Sequence, residues 1–100
     1  MYFVRVSLLA PRHYAAEENS RIQKDLLAFH AAQPGFVEGH YLEASDESGA
    51  VGCITIWEGE EHSNRAASHD HVLAHRSSPL RLAREQLVAQ GFAATKVVRT

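Results

Sequence analysis

Between Tyr2 and Glu58 the hydrophobic period changes twice, and this limits the fold more than any other feature of the chain. Tyr2 to Leu9 is rich in β-branched and aromatic residues, as a strand requires, and Pro11 ends it because proline cannot donate to a ladder. From about Arg12 to Gln33 the spacing becomes helical. Ala15, Ile22, Leu26 and Phe29 recur on one stripe, with Glu17, Glu18, Arg21, Lys24 and Asp25 mostly off it. Acids come early and bases later, as the helix dipole favours. Gln33-Pro34-Gly35 stops the helix, since proline breaks the hydrogen-bond ladder and glycine permits a reversal. Strand periodicity then returns for two runs, Phe36 to Ala44 and Ala50 to Glu58, joined by the polar turn at Ser45 to Gly49.

Side-chain alternation sorts these strands into faces. In the first, Tyr2, Val4, Val6 and Leu8 oppose Phe3, Arg5, Ser7 and Leu9. In the second, Val37, Gly39, Tyr41 and Glu43 oppose His40, Leu42 and Ala44. In the third, Val51, Cys53, Thr55 and Trp57 oppose Gly52, Ile54, Ile56 and Glu58, both sides being largely apolar. That composition marks a central strand covered on both faces. Glu60 to about His75 reads as a second helix. Ser77-Ser78-Pro79 supplies a cap for a short third helix carrying Leu80, Ala83 and Leu87 on one face, and Gly91 closes it. Phe92 to Arg99 is the expected last strand.

The predicted order is β-α-β-β-α-β, with a short extra helix before the last strand. This is an α+β, ferredoxin-like arrangement: an antiparallel sheet with helices on one face, here a single domain over residues 1–100. A chain of this length buries a limited share of its surface. Its uncovered sheet face suggests a homodimer, the same face of a second copy closing it.

Composition removes several classes of function. Cys53 stands alone, so there is neither a disulfide framework nor a multi-cysteine metal site. Net charge is −2, and Arg81, Arg84, Lys96 and Arg99 lie among apolar residues and acids without forming a basic stripe, so nucleic acid is not an expected partner. No apolar run reaches membrane-spanning length and no secretory signal opens the chain; a cytoplasmic location is expected. No glycine-rich loop cradles phosphate, and no nucleophile sits beside a paired base.

Two stretches resemble a known family. Gln33-Pro34-Gly35-Phe36 followed by Gly39-His40-Tyr41-Leu42-Glu43, and Ile56-Trp57-Glu58 followed fourteen residues after the tryptophan by His71, resemble the antibiotic biosynthesis monooxygenase (ABM) superfamily. The resemblance covers nearly the whole chain in order and spacing. It implies a dimeric α/β barrel and a range of activities, from cofactor-free oxygenation of aromatic molecules to haem degradation. In the haem-degrading branch an asparagine on the first strand, a tryptophan on the third and a histidine on the following helix form the site. Here Ser7 stands at the first-strand position, Trp57 matches in kind, and the histidine would be His69 or His71.

On these grounds the expected function is that of a small dimeric protein acting as a cofactor-independent monooxygenase on a small aromatic, quinol-type molecule. His71 is the candidate base, its ordinary pKa suiting proton transfer near neutrality. Trp57 is a candidate pocket wall, and Ser7 and Tyr41 are candidate polar anchors for a phenol or carbonyl oxygen. His69 and His71 are two apart and point to different sides of a helix, so the sequence leaves open which of His69, His71 and His75 faces inward. His71 and His75 share a face, but no acid completes a metal set, and no metal or other cofactor is expected. The alternatives are a non-catalytic dimer that binds a small hydrophobic ligand, and a haem-binding protein.

Overall fold

A computed structural model of the protein describes residues 1–69, 72 and 83–98. Strand β1 (Tyr2–Pro11) leads through a single 3-10 turn (His13–Ala15) into helix α1 (Ala16–Ala31). Strands β2 (Phe36–Glu43) and β3 (Val51–Trp57), helix α2 (Glu60–Ala67) and strand β4 (Ala83–Ala94) follow. The four strands form one antiparallel sheet in the order β2-β3-β1-β4. With α1 against β2 and β3 and α2 against β1 and β3, this is the expected α+β, ferredoxin-like fold. No helix among the described residues is long and apolar enough to cross a membrane.

The Pro-Gly junction behaves as its residues dictate. Phe36 N–H donates to the Gln33 carbonyl at 3.3 Å, closing a turn with Gly35 at φ +82°, a conformation other residues rarely adopt. The His62 ring lies where a Cβ on Gly35 would stand. Glu58 N–H donates to the Gly35 carbonyl at 2.8 Å, so the turn that opens β2 is tied to the end of β3.

Two expectations about the second half need correction. The segment read as a short helix carrying Ala83 and Leu87 is strand: β4 begins at Ala83 and pairs with β1 from Pro11↔Ala83 to Tyr2↔Ala94. Strand β1 has two hydrogen-bonding edges, and β3 satisfies only one. The demand of the second edge overrides the local helical spacing. Gly91, read as a helix stop, lies in mid-strand beside Arg5 because the Phe3 ring occupies the place of its missing side chain. Leu87 and Arg84 are the extra residues at two register shifts in this pairing. The second correction concerns α2, which ends at Ala67 rather than near His75. Ser68 N–H and its hydroxyl both donate to the Asn64 carbonyl, at 3.0 and 2.9 Å, and His69 lies beyond the helix end. His71, His75, the Ser77-Ser78-Pro79 cap, Leu80, Arg81 and Arg99 fall outside the described residues.

The inner stripe of α1 also differs from the expected one. Ala15 is buried as read, but its companions toward the sheet are Asn19 and Gln23, fully and nearly fully buried, while Ile22 and Phe29 are half-buried. Gln23 Nε2 donates to Asn19 Oδ1 at 2.9 Å, and the Cys53 thiol faces the Gln23 carbonyl and Oε1, each at 3.8 Å. Mutual hydrogen bonding lets these amides replace aliphatic side chains on the inner face.

Candidate functional site

Between α1, the end of α2 and the inner face of the sheet lies a cavity of about 430 Å³, within the range of small-molecule sites. Leu9, Leu26, Leu27 and Val72 give it an apolar lining. Its titratable lining groups among the described residues are Arg5 from β1, His30 from α1 and Cys53 from β3.

Arg5 is drawn inward by α2. Its Nε donates to Ser63 Oγ at 2.8 Å and its Nη2 to Asn64 Oδ1 at 2.9 Å, while the guanidinium lies 5.7 Å from the Phe3 ring centroid. Both acceptors are neutral, and no described carboxylate pairs with Arg5. Arg5 is thus a half-buried cation fixed at the cavity.

His30 belongs to the last turn of α1 and is half-buried. Its Nδ1 is buried and meets no hydrogen-bond partner among the described residues. Burial, and after it the Arg5 charge, hold its pKa below the ordinary histidine value of 6.5, so the imidazole is neutral at physiological pH. A neutral imidazole at the wall of an apolar cavity can accept a proton. Sequence reasoning missed His30 because it sits amid a helical run with no motif around it. One signal was available: His30 is seven residues beyond Gln23 and eleven beyond Asn19, so all three lie on one helical stripe.

The residues singled out from the sequence are placed as follows. Ser7 lines the cavity, beside Cys53 on one side and Ala89 on the other. Trp57 lies behind the cavity rather than on its wall: it is 1% exposed, and its Nε1 donates to Thr55 Oγ1 at 2.9 Å. The His30 and Phe36 rings meet it edge-on at 5.7 and 5.4 Å, so the tryptophan backs and orients His30. Tyr41, the register partner of Cys53, stands under Lys24 with the ammonium 4.8 Å from its ring centroid, and it does not line the cavity. Burial is the first cause that raises its pKa; the neighbouring Ser20 hydroxyl opposes the shift. His69 is exposed, its ring edge-on to Phe29 at 4.9 Å, and His71 lies outside the described residues. Among the described residues, the histidine that lines the cavity comes from α1. Burial pushes the Cys53 thiol up to about 11, which leaves it protonated and unreactive. No group of three or more His, Cys, Asp or Glu among the described residues could hold a metal ion.

No family model and no curated protein sequence matches the chain. Its fold does have solved counterparts. SnoaB from Streptomyces nogalater, described as a cofactor-independent oxygenase, superposes with a TM-score of 0.83 at 23% identity, over 99% of this chain and 98% of that one. The chain has the fold of the antibiotic biosynthesis monooxygenases. A Caulobacter crescentus CB15 protein provisionally assigned to that family gives a TM-score of 0.83 at 17% identity, covering 95% of this chain and 91% of its own. Rv0793 from Mycobacterium tuberculosis gives 0.87 at 12% identity, covering 99% of this chain and the whole of its own. At these identities the likeness is one of fold.

Proposed function

We propose that the protein is a cofactor-independent monooxygenase of small, electron-rich phenols of the quinol or anthrone type, and that a homodimer closes the open face of its sheet. The observation that carries the reading is the pairing, in one apolar cavity, of a neutral histidine with a guanidinium that has no described counter-ion. SnoaB, of the same fold, supports it.

The substrate binds with its ring in the apolar cavity and its hydroxyl between His30 and Arg5. Transfer of the hydroxyl proton to His30 is uphill by itself. A phenol near pKa 10 holds its proton more tightly than an imidazole held below 6.5. The positive charge of Arg5 favours the anionic form of the ligand and offsets part of that cost. The anion then gives one electron to O2, and the radicals combine to form a C–O bond at the activated ring carbon. His30 returns its proton to the peroxide. Cleavage of the O–O bond with loss of the remaining C–H proton expels water and leaves a carbonyl. One oxygen atom of O2 ends in the product and the other in water, and the substrate supplies all the electrons. The protein's tasks are to bind, to exclude water and to move one proton.

Oxygen uptake with an anthrone or naphthoquinol, in buffer containing a chelator, tests the reading. Expected is a rate saturable in substrate and well above autoxidation, with one atom of labelled O2 in the product. Ligand binding without uptake would instead support the non-catalytic dimer, and haemin binding with a Soret band would support the haem reading.

A further inference from the structure

The cavity is apolar over most of its wall, yet among its described lining residues it carries one fixed positive charge, Arg5. Arg5 is held at two of its donor positions by Ser63, which is 1% exposed, and by Asn64. Ser63 and Asn64 precede Ala66, which is buried, and Ala67, which lines the cavity, so the short helix that closes one end also aims the guanidinium. A half-buried guanidinium held by neutral acceptors retains its charge and its remaining N–H donors. His30, the second ionisable group at hand, adds no negative charge in either of its forms. Cys53 stays a neutral thiol. The described lining residues thus offer an anion a counter-charge and offer a cation none.

From this we infer that the ligand is an aromatic acid: a flat aryl molecule whose carboxylate docks on the N–H donors of Arg5 that Ser63 and Asn64 leave free, with its ring in the apolar part of the cavity. The inference deepens the proposed function and rests on the same cavity. A guanidinium offers paired N–H groups that fit a carboxylate, and such charge-assisted bonds are about twice as strong as neutral ones.

Binding of redox-stable probes tests the inference without requiring turnover. Calorimetric titration is made with 1-hydroxy-2-naphthoate, its carboxamide and 1-naphthol, on the wild-type protein and on Arg5→Lys and Arg5→Met. The expected result is a carboxylate probe at least about tenfold tighter than the carboxamide, a preference that weakens with added salt. Arg5→Met abolishes that preference, and Arg5→Lys keeps part of it. A circular-dichroism spectrum and a cooperative melt like those of the wild type show that Arg5→Met remains folded. If that variant does not fold, the wild-type preference and its salt dependence decide. Equal affinity for acid and amide, an unaltered preference in Arg5→Met, or no binding by any probe overturns the inference. Carboxylate preference without oxygen uptake from quinols sinks the oxygenase reading and leaves this one standing; uptake from neutral quinols with no such preference does the reverse.

Discussion

His30 places an unpartnered nitrogen inside the protein, and this has a consequence for stability as well as for chemistry. Its folded pKa lies below 6.5, the unfolded value, so near and below that pH the unfolded chain binds the proton more readily than the native one. Stability from this group is fully present above 6.5 and is lost as pH falls through the lower folded value. Urea midpoints measured at pH 7.5 and 5.5 will show the wild type losing more stability than His30→Gln over that interval. Trp57 is tested by the same means. It is sealed in, bonded to Thr55 and packed edge-on by two rings, so Trp57→Ala is expected to cost about 3–5 kcal/mol. Trp57→Phe keeps much of the packing and leaves Thr55 Oγ1 without its donor, a loss of about 1–3 kcal/mol.

At the scale of elements, α1 shows where sequence patterning stops being informative. Its Asn19–Gln23 pair predicts that Asn19→Ala will destabilise the protein by about 1–3 kcal/mol, because Gln23 then keeps a buried amide donor without that acceptor. The double variant Asn19→Leu with Gln23→Leu should cost less than the sum of the single leucine changes, as a double-mutant cycle by urea denaturation would show. Strands β1, β2 and β3, the Pro-Gly turn and the α1 span were legible because each follows a local rule of period or turn chemistry. The polar inner stripe was not legible, since a buried amide satisfied by another amide looks in sequence like a solvent-facing one. His30 was hidden for the same reason. Strand β4 was misread because Gly91 signals a helix stop in isolation, whereas its real function is to leave room for Phe3, a residue far away in sequence. The cavity residues Arg5 and Ser7 were visible as polar interruptions of an apolar strand, but the inward pull on Arg5 comes from α2, which no reading of β1 alone can supply.

For the whole molecule the unresolved surface is the outer face of the sheet. By strand alternation Val4 and Val6 of β1 stand beside Ile56 and Ile54 of β3 on the side away from the helices, with Phe92, 44% exposed, next to Val4. The outer strand β2 adds a hydrogen-bonded polar pair there, His40 Nε2 and Glu38 Oε2 at 2.7 Å. An aliphatic centre with a polar margin suits the homodimer proposed above. Val6→Asp with Ile54→Lys is expected to shift the protein from dimer to monomer in sedimentation analysis. A wild-type monomer at micromolar concentration would remove the dimer from the account.

In the proposed reaction one neutral histidine, His30, takes the substrate proton in a cavity charged by Arg5. The most direct test is kcat/KM for oxygen uptake by the wild type and His30→Gln across pH 5 to 9. The wild-type profile should rise with pH to a plateau, with its midpoint below 6.5, because the base must be unprotonated. The variant should be slower by about 10²–10⁴-fold and lack that rise. A rising limb that persists unchanged in His30→Gln, or a rate that the substitution does not lower, would contradict the claim.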